Sequence, residues 1–330
     1  MKHNFPRTKL GFWPTPLHDC PNLSDILQNL GGPKISIKRD DQSGLGLGGN
    51  KARKLEFLVG DAMAQGCDTL ITGGAAQSNH CRQTAAAAAK CGLECHLVLG
   101  GKAPRRAGGN LLLDQLFNAR IHWSGEHRKG EDLPKLADDL RQAGRKPYLV
   151  PYGGSNAIGA LGFVAAMSEL KEQLVKSQTS ISHIVFASSS GGTHAGMTLG
   201  TYRSNLPVTL YGIGIDKRTQ AEGPFNQSIC DLCNDLAPLL DIEKRFQPDD
   251  LILDEQFLGA GYGIISDLER NAISTLAQIE GILLDPIYSG RAFGAMLALI
   301  EQGRFTKKDH ILFWHTGGTP ALFPNAPWLQ

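Results

Sequence analysis

Residues 183–194 read HIVFASSSGGTH, and this stretch decides the fold. The run His183–Ala187 is short and apolar, which is typical of a buried strand, and a helical pattern begins at Thr193. The serines and glycines between them form a turn whose N–H groups, hydroxyls and helix N-terminus can bind a phosphate monoester. An ordinary capped helix is the alternative, but two adjacent glycines and four hydroxyls exceed what capping needs. We therefore predict a phosphate-binding turn at the end of a strand.

The same order of strand, turn and helix recurs along the chain. Short apolar runs predict strands at Ile35–Lys38, Thr69–Thr72, His96–Leu99, Tyr148–Val150, His183–Ala187, Thr209–Ile213 and Ile311–Trp314. Helical spacing predicts helices at Lys51–Gln65, Asn79–Lys90, Gly109–Phe117, Leu133–Ala143, Asn156–Leu174, Thr193–Ser204, Gly263–Ile279 and Gly290–Gln302. Strands separated by such helices predict an α/β fold with parallel sheets, in which ligands bind at the carboxyl ends of the strands.

The composition indicates a large core and excludes several classes of partner. The 330 residues are 42% hydrophobic and 20% charged, enough for about two domains of roughly 150 residues. The net charge of +1 gives no sign of a nucleic-acid partner, and no apolar stretch approaches the roughly 18 residues of a membrane helix. Seven cysteines without framework spacing predict reduced thiols and a cytoplasmic location. Cys230 and Cys233 lack further ligands nearby, so we predict no metal site.

A second glycine-rich stretch, residues 43–57, reads SGLGLGGNKARKLEF and places Lys51 on the first turn of a predicted helix. A cation at a helix N-terminus meets the positive end of the helix dipole, which disfavours its charged form. Proteins accept this position where a lysine with a depressed pKa is useful, as in a Schiff base. On this stretch alone, a solvated surface lysine stays an open alternative.

The glycines before Lys51 match a dinucleotide motif by letter, as Gly44–Gly49 fits G-x-G-x-x-G. A dinucleotide site also needs an acidic residue at the end of the next strand. That strand, Thr69–Thr72, runs into Gly73 and Gly74 without a carboxylate, which argues against a nicotinamide dinucleotide. One phosphate turn, one lysine at a helix start and no nucleotide signature predict pyridoxal phosphate as the cofactor.

Several segments also match a known family in order along the chain. They are Phe12–Leu17, Lys38–Asp41, Gly48–Glu56, Gln77–His80, Gly191–Gly196, Asp285–Gly290 and Gly317–Phe323. With these segments the chain resembles the fold-type II pyridoxal-phosphate enzymes, the tryptophan-synthase-β-like group. Within that group it resembles the branch of D-cysteine desulfhydrase and 1-aminocyclopropane-1-carboxylate (ACC) deaminase.

The resemblance implies a set of site residues and no metal. The catalytic residues would be Lys51, which forms the imine and takes a proton, and the tyrosines Tyr262 and Tyr288. The cofactor would be bound by Asn50, Lys51, Asn79, Ser190, Gly191, Gly192, Thr193, Tyr288, Ser289 and Thr316. The substrate, a small amino acid, would be bound by Ser78, Asn79, His80 and Tyr262.

The choice within the branch depends on Ser289 and Thr316, where ACC deaminases typically carry Glu and Leu. A carboxylate keeps the pyridine nitrogen of the cofactor protonated, whereas a hydroxyl can only hydrogen-bond to it. Elimination of sulfide can proceed with this weaker electron sink, so the resemblance favours D-cysteine desulfhydrase. ACC deaminase and L-cysteate sulfo-lyase stay alternatives. An NAD(P)-binding oxidoreductase and a catalytically silent amino-acid-binding protein are the alternatives from other classes.

The resemblance further implies two three-layer αβα domains with mostly parallel sheets and the cofactor in the cleft between them. Residues 1–47 and 161–330 would form the large domain, and residues 48–160 the small domain that carries the lysine. The resemblance also implies that this protein is a homodimer.

Overall fold

In a computed structural model of the protein, residues 5–329 are described, and their strands form two sheets covered by helices. The strands of the larger sheet, in spatial order, are β1 (Leu17–Asp19), β2 (Lys34–Arg39), β10 (His310–His315), β7 (His183–Ser188), β8 (Thr209–Gly214) and β9 (Leu253–Asp254). Strand β1 pairs antiparallel with β2, and the other neighbours pair in parallel. This sheet thus combines strands from both ends of the chain.

The smaller sheet is built from the middle of the chain. Its strands, in spatial order, are β5 (Arg120–Trp123), β4 (Glu94–Gly100), β3 (Thr69–Ala75) and β6 (Pro147–Leu149), all parallel. The predicted α/β fold with mostly parallel sheets is therefore confirmed. All four strands lie within the segment 48–160, although the domain boundaries themselves stay a prediction.

The helices cover both sheets. They are α1 (Pro21–Asn29), α2 (Lys51–Ala64), α3 (Asn79–Cys91), α4 (Gly109–Leu116), α5 (Leu133–Gln142), α6 (Ala157–Ser177), α7 (Gly192–Ser204), α8 (Phe225–Leu236), α9 (Asp267–Glu280) and α10 (Ser289–Glu301). The helix predicted from Gly263 begins only at Asp267, because Ser266 and Glu269 form a capping box there. Helix α8 was not predicted; it carries Cys230 and Cys233, which are free thiols buried in an apolar cluster.

A buried ion network joins helices α2 and α6 to the larger sheet. The Arg53 guanidinium donates to both carboxylate oxygens of Asp40 at 2.8 Å and to Glu169 at 2.9 Å. Lys38, which is fully buried, donates to the same Glu169 at 2.5 Å. Because Glu169 is held by two cations, its pKa falls to about 2 despite its burial. The network fixes α2, and hence its first residue Lys51, against the sheet.

We expect Arg53→Met to lower the free energy of unfolding by about 3–5 kcal/mol, since it leaves the buried carboxylate of Asp40 without its partner. Urea denaturation measures this loss. Arg141→Met is the matched control, because Arg141 pairs with Asp138 on the surface and should lose less than about 1 kcal/mol. Equal small losses in both variants would contradict the account of the network.

Among residues 5–329, no helix is both long and apolar enough to cross a membrane.

Candidate active site

A cavity lies at the carboxyl ends of β3 and β7, where the first turns of α2, α3 and α7 converge. The predicted site residues that line it are Asn50, Lys51, Ser78, Asn79, His80, Ser190, Gly191, Thr193, Tyr262, Tyr288 and Thr316. Gly192 and Ser289 were also predicted but do not belong to the lining. The structure therefore brings together residues that are up to 266 positions apart, from Asn50 to Thr316 (316 − 50).

Lys51 is the first residue of α2, as the sequence predicted. Its Nζ donates to the carbonyl of Gly153 at 3.2 Å. Burial lowers the pKa of Lys51 to about 8, and it is the main cause of the shift. A substantial fraction of this amine is therefore neutral near physiological pH, and a neutral amine can act as a nucleophile or a base.

A second buried lysine, which the sequence argument missed, lies one turn further along α2. Lys54 is fully buried and donates to the Gly153 carbonyl and to Ser155 Oγ, both at 3.1 Å. Burial and the neighbouring Lys51 lower the pKa of Lys54 well below its ordinary value. The spacing of three residues in KARK was the available signal, because it places both amines on one face of the helix.

The turn between β7 and α7 forms a cup of hydroxyls and N–H groups. Gly191 precedes α7 with a φ of +85°, a conformation that favours glycine. Ser155 Oγ binds Ser190 Oγ at 2.8 Å and accepts the N–H of Gly192 at 3.1 Å. A Cβ at Gly192 would lie 2.7 Å from that oxygen, so Gly192 supports the cup from behind and does not line it. The first N–H groups of a helix have no intrahelical acceptors and suit an anion here.

The glycine loop before Lys51 has a different purpose. The N–H groups of Gly49 and Asn50 donate to the carbonyls of Asp40 and Thr316, both at 2.9 Å, and so are not directed at a ligand. A Cβ at Gly48 would lie 1.9 Å from the carbonyl oxygen of Asp41, and the φ of Gly48 is +70°. The loop is therefore glycine-rich because it packs closely on the chain, not because it holds a pyrophosphate.

Two tyrosines form the opposite wall. The hydroxyls of Tyr262 and Tyr288 lie 2.7 Å apart, and the Arg128 guanidinium lies 4.6 Å from the centre of the Tyr262 ring. Burial raises the pKa of Tyr262 to about 12, although the hydrogen bond with Tyr288 and the charge of Arg128 partly oppose this. Burial and the neighbouring Tyr262 raise the pKa of Tyr288 well above its ordinary value. Both hydroxyls are protonated at neutral pH and can donate a proton.

Helix α3 supplies polar groups on the side of the smaller sheet. Ser78 caps this helix, and its Oγ accepts the N–H of Cys81 at 3.2 Å. His80 Nε2 lies 2.9 Å from Thr72 Oγ1. Burial, together with the charges of Lys51 and Lys54, lowers the pKa of His80 well below its ordinary value. His80 is therefore a neutral hydrogen-bonding group and not a cation.

The two residues that decided the choice within the branch lie in different surroundings. The hydroxyl of Ser289 is fully buried, donates to Asp285 Oδ1 at 2.6 Å and accepts the N–H of Asp285 at 2.8 Å. Thr316 lines the cavity, and its carbonyl accepts the N–H of Asn50. Thr316 is thus the hydroxyl available to a ligand in the cavity, while a cofactor contact of Ser289 stays a prediction.

This chain is similar to known proteins along most of its length. The family described as pyridoxal-phosphate dependent enzyme matches residues 8–317. The D-cysteine desulfhydrases of Klebsiella pneumoniae and Yersinia enterocolitica are each 42% identical to this chain over 98% of its length, and 98% and 97% of their own chains are covered. A solved structure described as an ACC deaminase homologue has a TM-score of 0.89 and 36% identity, covering 98% of this chain and 95% of its own.

This chain belongs to the pyridoxal-phosphate dependent enzymes. The predicted cofactor is thereby confirmed. A further solved structure, that of O-ureido-L-serine synthase, is only 16% identical with a TM-score of 0.64, covers 94% of this chain and 90% of its own, and supports the fold alone.

The cavity of this pyridoxal-phosphate enzyme has the groups that its cofactor needs. The Lys51 amine can bond to the aldehyde carbon, and the cup formed by residues 190–193 can hold the phosphate with the Lys54 side chain behind it. A Cβ at Gly153 would lie 2.2 Å from Ser190 Oγ and 3.5 Å from Lys51 Nζ. The glycine at this position therefore keeps open the space between the lysine and the cup.

Proposed function

We propose that this enzyme is a D-cysteine desulfhydrase, which eliminates sulfide from D-cysteine and yields pyruvate and ammonia. The observation that carries the proposal is the position of a partly neutral Lys51 amine in the same cavity as two protonated tyrosine hydroxyls. Elimination needs one group that takes a proton from Cα and another that gives one to the leaving sulfur. The full-length similarity to D-cysteine desulfhydrases supports this choice of substrate.

The cofactor would be held at three places along its length. Lys51 would hold it covalently, Asn79 would donate to its phenolic oxygen, and the cup of Ser190, Gly191 and Thr193 would bind its phosphate. Asn50 supports the cup, because its Nδ2 donates to Thr193 Oγ1 at 3.3 Å. When bound, pyridoxal phosphate supplies an electron sink for the electron pair that a broken Cα–H bond leaves behind.

The protein side of the reaction moves two protons. The Lys51 amine would take the proton from Cα. As the Cβ–S bond breaks, Tyr262 Oη would give a proton to the departing sulfur. Water hydrolyses the released enamine to pyruvate and ammonia, so that D-cysteine and water give pyruvate, hydrogen sulfide and ammonia. The Ser78 hydroxyl and neutral His80 would bind the substrate carboxylate at the N-terminus of α3.

A product assay with a panel of amino acids tests the proposed function. The purified protein, loaded with pyridoxal phosphate, is incubated with D-cysteine, L-cysteine, L-cysteate, β-chloro-D-alanine and ACC. We expect sulfide and pyruvate in equal amounts from D-cysteine, and pyruvate from β-chloro-D-alanine. A yellow protein that releases pyruvate from neither compound would instead be a silent amino-acid-binding protein.

ACC deaminase is the second candidate, and the solved structure described as an ACC deaminase homologue favours it. Ring opening of ACC would release 2-oxobutyrate and ammonia in the same panel. Ser289 in place of the Glu that is typical of ACC deaminases argues against it, because a hydroxyl keeps the pyridine nitrogen largely neutral. 2-Oxobutyrate in preference to pyruvate would replace the first proposal with this one.

The rate of cofactor attachment should depend on pH through Lys51. Because burial lowers the pKa of this amine to about 8, the neutral nucleophile becomes abundant as the pH rises through that value. We therefore expect the apoenzyme to turn yellow faster from pH 6 up to about 8 and little faster above it. Stopped-flow absorbance measures this rate, and a rise that continues to pH 10.5 would show an unperturbed lysine.

We also propose that the enzyme is a cytoplasmic homodimer. Its seven cysteines are free thiols in the structure, which suits a reducing compartment. The family resemblance supports the dimer, and light scattering after gel filtration tests it: a mass of about one chain of 35.6 kDa would contradict it.

A further inference from the structure

Asn110, at the start of α4, is a fully buried amide that touches the active site only through another residue. Its Nδ2 donates to the carbonyl of Gln77 at 2.9 Å and to Asn79 Oδ1 at 2.8 Å. Its Oδ1 accepts from Arg82 Nε at 3.1 Å. Both polar atoms of this side chain thus form hydrogen bonds within the protein, and one of these bonds goes to Asn79, which lines the cavity.

Two of these partners fix the orientation of the Asn110 amide, that is, the positions of its oxygen and its nitrogen. The Arg82 guanidinium can only donate, so it must face the oxygen of Asn110. The backbone carbonyl of Gln77 can only accept, so it must face the nitrogen. A rotated Asn110 amide would bring two donors together at Arg82 and two acceptors together at Gln77, leaving buried groups unpaired.

The fixed amide of Asn110 in turn fixes Asn79. Because the second hydrogen of Asn110 Nδ2 points at Asn79, the Asn79 oxygen must lie on that side and its Nδ2 on the other. Among the described residues, no hydrogen bond uses Asn79 Nδ2, and a Cβ at Gly318 would lie 2.9 Å from it. Asn79 thus offers the cavity a hydrogen-bond donor and not an acceptor.

Arg82 links this amide pair to the loop that precedes Lys51. Its Nη1 donates to the carbonyl of Gly48 at 2.7 Å and also to that of Gly46. Arg82 is itself fully buried. The same guanidinium therefore holds the loop that presents the lysine directly and, through Asn110, the residue that would hold the cofactor ring.

We propose that Asn110 is a positioning residue that sets the polarity of Asn79, so that the amide nitrogen of Asn79 faces the phenolic oxygen of the cofactor. This inference rests on one part of the proposed function, the binding of pyridoxal phosphate in this cavity. A donor stabilises the anionic form of that oxygen, and the anionic form belongs to the yellow state of the lysine-bound cofactor. An acceptor in its place would repel the same oxygen.

Asn110→Asp is the decisive variant, because it preserves the shape of the side chain while removing its donor. The carboxylate keeps Arg82 but loses the bond to the Gln77 carbonyl, and Asn79 must rotate to donate to the new oxygen and then presents its own oxygen to the cofactor. We expect affinity for pyridoxal phosphate to fall by at least about tenfold and the absorbance to move from the yellow band to the near-ultraviolet band. Titration of the apoprotein with cofactor gives both readings without any assay of activity.

A double-mutant cycle separates positioning from general damage. In an Asn79→Ala background, Asn110→Asp should no longer change the ratio of the two bands, since its effect passes through Asn79. Asn118→Asp, the same exchange at an exposed position just beyond α4, is the matched control and should behave as wild type. Should Asn110→Asp not fold, Asn110→Ala, which frees Asn79 to rotate without adding charge, should give the same direction of change.

The possible results are distinct. Unchanged affinity and colour in the folded Asn110 variant would overturn the inference and leave the proposed function intact. An effect of equal size in the Asn79→Ala background would also overturn it. A wild-type protein that binds no pyridoxal phosphate would overturn both.

Discussion

The Lys51→Ala protein is expected to be colourless after treatment with pyridoxal phosphate and removal of the unbound cofactor, and to release no pyruvate from D-cysteine above background. The substitution removes both the amine that bonds to the cofactor and the base that takes the Cα proton. The base alone is worth about 10²–10⁴ in rate, so the combined loss in kcat should be at least that large. Absorbance of the cofactor-treated protein and a pyruvate assay measure the two effects separately.

Lys54→Met is the matched control for Lys51→Ala. Both amines are buried on α2 and share the carbonyl of Gly153, but Lys51 lines the cavity and Lys54 lies behind the phosphate cup. We expect this variant to become yellow, with cofactor affinity about 10- to 100-fold weaker because the phosphate cup loses the amine that supports Ser155 from behind. If Lys54→Met were colourless at saturating cofactor and Lys51→Ala were yellow, the roles of the two lysines would be the reverse of those proposed.

Tyr262→Phe should lower kcat for D-cysteine by about 10²–10⁴, with a smaller change in KM, because the departing sulfide loses its proton donor. Burial disfavours the ionised form of both tyrosines, but for Tyr262 the Tyr288 hydrogen bond and the Arg128 guanidinium oppose this effect on its pKa. It is therefore the better acid. Initial rates over a range of D-cysteine concentrations separate kcat from KM.

A substrate with a different leaving group provides the internal control for Tyr262→Phe. Chloride leaves without a proton, so β-chloro-D-alanine should react with Tyr262→Phe at close to the wild-type rate. Tyr202→Phe, at a half-exposed ring remote from the cavity lining, should leave both substrates unaffected. Equal losses for both substrates in Tyr262→Phe would assign this tyrosine to binding and not to proton transfer.

The predictable part of the fold follows from runs of buried apolar residues. Strands such as β7 and β10 are buried along most of their length, and their uninterrupted apolar runs identify them. The strands β1, β5 and β9 were missed because they are short and lie at sheet edges. Such strands depend on their neighbours for stability, so their own sequence carries little signal.

Eleven residues implied by the family motifs line the cavity, and most of them lie in turns near strand ends. Tyr152 and His194 also line it and were not predicted. Lys54, which was not predicted either, owes its burial to contacts between segments that are distant in sequence. Gly162 lies so close to α2 that a Cβ there would come within 2.2 Å of the Arg53 carbonyl. This close packing of α6 on α2, together with the loop of Gly153 and Ser155, encloses the second lysine. For Ser289, the motif gave the position, but the direction of its hydroxyl is set by Asp285.

Reduction of the cofactor-loaded protein with borohydride, followed by peptide mass analysis, tests the central assignment most directly. Borohydride converts the bond between lysine and cofactor into a stable amine, so the modified residue can be read from fragment masses. Lys51 and Lys54 are separated by Arg53, so cleavage distinguishes them. We predict the pyridoxyl group on Lys51 alone. Its presence on Lys54, or on a lysine outside this cavity, would contradict the account.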